Sequence, residues 1–258
     1  SIGYEPRLGY REPVYSQYAR GCFVNAVGLT NPGALRSAEL FADLDVPQDR
    51  FLLTSIFGGS VEEFVLVAKI LAPFSDGLEL NLSCPHAKGY GMAMGQDPDL
   101  VEEITAAVKA AVDIPVVPKL TPNADDVAAI AKAAIRGGAD GICAINTVGP
   151  GLHTAYSQPV LSNGVGGLSG KGILPIALKC LQEIRSVCSV PIIGCGGVSS
   201  ADDVRQVRHA GAQIVGVGSA LTGMDSPEIK HYFDVLSQDL ANGENQCESQ
   251  IQYDVDMA

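Results

Sequence analysis

Two rhythms of apolar residues alternate along the chain. In the first, Leu78, Leu80 and Leu82 alternate with Glu79, Asn81 and Ser83, the period of a β-strand, which predicts a strand over 77–83. Pro85 cannot donate to a sheet ladder, so the strand stops near Cys84 and leaves that thiol at its carboxyl end. In the second rhythm, Val61, Phe64, Val65, Ala68 and Leu71 recur at helical spacing, with Ser60 placed to cap the helix and Glu63 three residues on. The same reading predicts strands over 51–56, 114–120, 141–146, 191–195 and 213–218, and helices over 36–44, 97–111, 124–136, 172–187, 200–210 and 226–240. Asp97-Pro98 starts one helix, Ser200 caps another, and Gly137-Gly138 and Gly211 stop two more. Residues 1–35, broken by Pro6, Gly9, Pro13 and Gly21, read as loop.

Six strands, each followed by a helix, imply a parallel sheet of the α/β class, either open and doubly wound or closed into a barrel. A closed (β/α)8 TIM barrel takes eight strands, and about six βα units are visible here. A chain that opens in the middle of a loop favours a barrel short of its first two units. The expected division is an incomplete barrel domain over 1–241 and a polar, acidic tail over 242–258 that should fray.

The strand ends carry the polar residues. Ser55, Asn81 with Cys84, Lys119, Asn146-Thr147, Gly196-Gly197 and Gly218-Ser219 all lie at or just past a predicted carboxyl end. Polar groups scattered through an apolar sheet would be costly, whereas a set in register at one rim makes a site. The glycine turns over 194–198 and 216–219 sit on the last two βα units, where barrels commonly hold a phosphate through backbone N–H groups. They lack the G-x-G-x-x-G spacing and downstream acid of a dinucleotide fingerprint. Two loops, 85–96 and 147–171, are too long to be simple connectors, and the first suits a lid over a reacting centre.

Composition narrows the function class. The 258 residues carry a net charge of −12, which argues against nucleic-acid binding. Seven cysteines, with no C-x-x-C pair, argue against a disulfide framework or a metal site and for a reducing, cytoplasmic setting. No apolar run reaches the length of a membrane span. Cys84 could then be a buried structural thiol, a nucleophile or a general base. A nucleophile needs a well-placed histidine, and His86, two residues on around a proline, is poorly placed, so general base is the stronger role. A free thiol titrates at about 8.5, so activity should rise toward alkaline pH.

The motifs over 25–33 (NAVGLTNPG), 81–85 (NLSCP), 119–123 (KLTPN), 145–147 (INT), 166–170 (GGLSG), 194–198 (GCGGV) and 218–221 (GSAL) together resemble the dihydroorotate dehydrogenases, from residue 1 to about 240. The resemblance implies an FMN-containing (β/α)8 barrel that oxidises dihydroorotate to orotate in pyrimidine synthesis. Cys84 matches the base that takes a proton from substrate C5, and a cysteine there marks the soluble class 1 enzymes, with the pattern nearer the group that uses a second subunit (1B). Asn25, Val27, Gly28, Leu29, Asn81, His86, Asn146 and Thr147 match substrate-binding positions. Ser1, Ser55, Asn81, Lys119, Ile145, Gly170, Gly196, Gly197, Gly218 and Ser219 match flavin-binding positions, with Lys119 near the flavin N1 and O2 edge. The implied partners are dihydroorotate and orotate, a second copy of the chain in a homodimer, and a separate subunit carrying FAD and an iron-sulfur cluster.

Two features depart from the family pattern. His86 stands where the family usually has Asn, a trait shared with dihydropyrimidine dehydrogenases, as is the run Gly95-Gln-Asp-Pro98; reduction of uracil or thymine is therefore the alternative reaction. The family also has roughly 45 residues before the position of Ser1, including a lysine immediately before it that touches substrate and flavin. The expectation is a fragment with two exposed barrel edges, and a remnant that only binds is a further alternative. A tRNA dihydrouridine synthase shares the barrel and a loop cysteine, but the charge of −12 weighs against RNA.

Overall fold

The alternation of buried and polar positions resolves into two sheets that meet at one end of the molecule. The computed structural model describes residues 1–83 and 91–256. The strands are β1 (Tyr15–Ala19), β2 (Cys22–Asn25), β3 (Leu53–Ile56), β4 (Gly77–Asn81), β5 (Val116–Leu120), β6 (Ile142–Ala144), β7 (Val148–Gly151), β8 (Thr154–Ala155), β9 (Gln158–Pro159), β10 (Gly166–Gly170), β11 (Ile192–Cys195) and β12 (Ile214–Gly216). The helices are α1 (Ala34–Ala42), α2 (Val61–Leu71), α3 (Pro98–Ala111), α4 (Val127–Arg136), α5 (Leu174–Arg185), α6 (Ala201–His209) and α7 (Ser226–Asp256).

The larger sheet has six strands in the order β12-β11-β6-β5-β4-β3, with every neighbouring pair parallel. This is the predicted set of six βα units, curled into part of a (β/α)8 barrel. Ile2 extends it by a parallel bridge to Ile56. Residues opposed across a ladder share a face. On the outer face Ile56, Leu78, Leu80, Val116, Ile142 and Ile192 are fully buried in one core with Phe64 and Val67 of α2, Ile104 of α3, Ile130 of α4, Leu181 of α5 and Val207 of α6. Each such side chain contributes about 1.5–3 kcal/mol by leaving water. The inner face is different: Ser55 lies opposite Glu79, Asn81 opposite Lys119, Lys119 opposite Cys143, and Cys195 opposite Gly216. A row of polar residues therefore crosses the concave side of the sheet.

The caps form as their sequence predicts. Ser60 accepts from the Glu63 amide, Asp97 from those of Asp99 and Leu100, and Ser200 from that of Asp203. The final helix continues through the polar tail to Asp256, beyond the point where composition suggests fraying.

The second sheet corrects the reading of residues 1–35 and 147–171 as loops. It has four strands in the order β1-β2-β10-β7, antiparallel throughout. β1 and β2 form a hairpin around Arg20-Gly21, where Gly21 adopts φ 71°. The approach of β10 to β2 requires glycine: a Cβ on Gly166 would collide with the Asn25 carbonyl, and one on Gly170, at φ +85°, with the Gly21 carbonyl. A short hairpin of β8 and β9 lies beside it.

Candidate active site

The carboxyl ends of the parallel strands and the edge of the antiparallel sheet enclose a cavity of about 480 Å³. Ser1, Asn25, Val27, Gly28, Leu29, Asn81, Asn146 and Thr147 all line it. The structure thus brings together the predicted substrate-binding set apart from His86, which, with Cys84, lies outside the described residues. A larger hollow of about 630 Å³ between the start of α6 and α7 holds none of the strand-end residues and is not the site.

Short side-chain bonds tie the rim to the inner face. Asn146 Nδ2 donates to Asn81 Oδ1 at 3.1 Å, and Asn146 Oδ1 accepts from the Thr147 amide at 2.8 Å. Asn81 Nδ2 donates to Ser1 Oγ at 2.9 Å, Ser1 and Ser55 hydroxyls lie 2.8 Å apart, and Ser55 Oγ donates to Glu79 Oε1 at 2.8 Å. Each hydroxyl has one proton, and Ser55 gives its own to Glu79, so Ser1 donates to Ser55 and donation runs one way, from Asn81 to the carboxylate. Lys119 Nζ lies 3.6 Å from the same Glu79 oxygen, and both side chains are mostly buried. Burial disfavours the ammonium, but the field of Cys143, Glu79 and Cys195 outweighs it and holds Lys119 above its ordinary range.

The remaining flavin-type positions do not line this cavity. Ile145 is buried, and its carbonyl accepts from the Cys195 thiol at 3.3 Å. Gly196 and Gly197 turn at φ 121° and 83°, and Gly218 precedes a single 3-10 turn that begins at Ser219. Among the described residues, no turn or loop backbone bond uses the amides of Gly196, Gly197 or Gly218, and a Cβ on Gly218 would meet nothing within 4 Å. Gly196 and Gly197 instead pack against Ala177, Ile145 and Leu174, so only glycine fits there, and the open backbone at Gly218 gives an anion room; as a set the turns fit the phosphate of a flavin mononucleotide.

Sequence reasoning passed over two residues. Glu79 alternates with leucines like any solvent-facing strand residue, yet it is only 8% exposed and is the final acceptor of the hydrogen-bond chain that starts at the cavity wall. Asn123 stood in a quoted motif without a role. Its Oδ1 accepts from the Gly149 amide at 2.9 Å and its Nδ2 donates to the Thr147 carbonyl at 3.3 Å, fastening the segment that walls the cavity. Ser83, which also lines the cavity, has a shielded hydroxyl without a hydrogen-bond partner among the described residues.

The sequence model of the family described as dihydroorotate dehydrogenase matches residues 1–240. The chain belongs to the dihydroorotate dehydrogenase family. It is 48% identical over 224 residues to the Pyrococcus horikoshii protein named dihydroorotate dehydrogenase B (NAD(+)), catalytic subunit, a match covering 86% of this chain and 72% of that one. A Methanosarcina acetivorans protein of the same name is 47% identical over 227 residues, covering 86% of this chain and 71% of that one. In fold, the chain resembles the ligand-free crystal structure of the Eimeria tenella dihydroorotate dehydrogenase, with a TM-score of 0.79 at 21% identity, over 96% of this chain and 77% of that one.

Within this dihydroorotate dehydrogenase family member, no group of three or more His, Cys, Asp or Glu among the described residues could hold a metal ion. No helix among them is long and apolar enough to cross a membrane.

Proposed function

We propose that this chain is the catalytic subunit of a class 1B dihydroorotate dehydrogenase, which oxidises dihydroorotate to orotate in pyrimidine synthesis with FMN as cofactor. The observation that carries this reading is the convergence of Asn25, Asn81, Asn146 and Thr147 on one cavity at the carboxyl ends of the parallel strands. Amides and hydroxyls in that arrangement suit the alternating donors and acceptors of a pyrimidine ring. The names of the relatives support the substrate, a separate partner subunit and NAD⁺ as final acceptor.

When bound, FMN supplies the hydride acceptor. The amides of Gly196, Gly197 and Gly218, with Ser219, would hold its phosphate, and Ser1, Ser55, Asn81, Ile145 and Gly170 would line its remaining contacts. Lys119, kept charged by Glu79, would stabilise negative charge on it. Cys84, which follows the described end of β4, takes the proton from substrate C5. Asn81 and Asn146 are oriented by their mutual bond, so each presents a fixed polar edge to the ring. The homodimer and cytoplasmic setting belong to the same proposal.

The test is reduction of added flavin by the purified chain with dihydroorotate, uracil and thymine compared under one set of conditions. Orotate formation from dihydroorotate alone is expected, rising toward alkaline pH around the thiol range near 8.5. Turnover of uracil or thymine but not dihydroorotate would reassign the substrate, and no turnover of any would leave only binding.

A further inference from the structure

Cys143 and Cys195 act on the site above only through the field at Lys119 and have no step of their own in the proposed reaction. Cys143 is the middle residue of β6, and Cys195 ends β11. The two strands are neighbours in parallel register, with Ile193 opposite Cys143 and Gly194 opposite Ala144. Cys195 is therefore two residues beyond the direct partner of Cys143 and, by the period of a strand, on the same inner face. Their sulfur atoms lie 3.8 Å apart. The other cysteines described as free, Cys22, Cys180 and Cys188, stand on β2, in α5 and after α5, away from this face.

We propose that Cys143 and Cys195 form an oxidisable thiol pair, a modification site closed to a disulfide by hydroperoxides.

The two sulfurs have unequal roles. Cys195 is the more open, while Cys143 is 2% exposed. The Cys143 thiol donates to Cys195 and the Lys119 ammonium lies nearby; together they hold Cys195 below the ordinary thiol value despite its burial. The same contact, with burial, pushes Cys143 up. Cys195 is accordingly the nucleophile. Its thiolate attacks one peroxide oxygen, the O–O bond breaks, and hydroxide leaves with the displaced proton as water, giving a sulfenic acid on Cys195. The Cys143 sulfur then attacks that sulfur, the S–O bond breaks, and a second water leaves. Two thiols lose two electrons in all, and one hydrogen peroxide gains them.

Closing a sulfur separation of 3.8 Å to a bond of about 2.05 Å needs movement. That movement falls on the strand end running into Gly196-Gly197, a turn whose positive φ values call for glycine. The bond would therefore pull on the turn assigned above to the phosphate, which connects oxidation to cofactor retention. That last connection rests on the flavin reading, whereas the pair itself does not.

The experiment treats the whole chain with hydrogen peroxide, blocks remaining thiols under denaturing conditions, and maps peptides by mass spectrometry without reduction. A cross-linked species joining the Cys143 and Cys195 peptides, two hydrogens lighter than their sum and cleaved by dithiothreitol, is expected. It should be absent from Cys195→Ser, which folds if the wild-type near-ultraviolet spectrum is retained. Recovery of both cysteines as blocked thiols, or accumulation of sulfinic acid on Cys195 with Cys143 still free, would overturn the proposal. Both results come from the wild-type chain, so a misfolded variant leaves the test intact. Loss of FMN retention after treatment, measured separately, distinguishes failure of the flavin reading from failure of the thiol pair.

Discussion

The six-stranded and the four-stranded sheet both end on the same cavity, but they contribute to it by different physical means. The parallel sheet delivers charge: Glu79 and Lys119 are placed on its inner face by rigid strands whose outer face is locked to the helices. The antiparallel sheet delivers shape: β10 is Gly-Gly-Leu-Ser-Gly, and its glycines let backbone press against Asn25, Thr147 and Gly21. Charge in a low-dielectric setting is effective only when its partners cannot move. Close backbone approach needs the absence of side chains. The first contribution should therefore be sensitive to lost partners, and the second to added atoms.

The largest expected effect is at the proposed base. Cys84→Ala should lower turnover by about 10²–10⁴ while the cofactor stays bound, read by steady-state assay and by flavin absorbance. Unchanged turnover would remove Cys84 from the chemistry. On the parallel side, Lys119→Ala strands Glu79 as a lone buried carboxylate and should cost about 3–5 kcal/mol in urea unfolding. Adding Glu79→Gln should recover much of that loss; equal losses in single and double variants would show that the pair does not act as one. On the antiparallel side, Gly167→Ala adds a Cβ that collides with the Thr147 side chain. About 1–3 kcal/mol should be lost, seen chiefly as weaker orotate binding by calorimetry. If instead binding holds and only the melting temperature falls, the glycine strand is scaffold and not shape. The smallest effect lies outside both contributions: Ser60→Ala removes the cap on the Glu63 amide and should cost about 1 kcal/mol without changing substrate affinity.

The same contrast explains what could be read from the residues alone. The parallel sheet and its helices were legible because Leu78 and Leu80 on β4, and Phe64 and Leu71 on α2, repeat with the period of their element and are buried accordingly. The antiparallel sheet was not, because Tyr15–Ala19 is mostly exposed and Gly166–Gly170 has almost no side chains to carry a pattern. Within the site, Asn81, Asn146 and Thr147 were visible as polar residues at strand ends. Glu79 was hidden by the very alternation that revealed its strand, since period two separates the faces of a sheet without saying which one meets water. Only the curl of the sheet decides that the Glu79 face turns inward.

The pairing of β2 with β10 has a consequence for how the molecule reaches this state. Asn25 and Gly167 are 142 residues apart in sequence, and β3, β4, β5 and β6 lie between them. Closing so long a loop costs chain entropy before any contact rewards it, whereas each βα unit closes locally. The four-stranded sheet should accordingly form late in folding, after the parallel units have brought its two halves close. Pulse-labelled hydrogen exchange would show it as slow protection of Phe23 and Ser169 amides, which face each other across that ladder, relative to those of Leu78 and Leu80. The cavity would then be the last part of the protein to exist, and a nascent or partly folded chain would have its buried ion pair in place before it could hold a substrate.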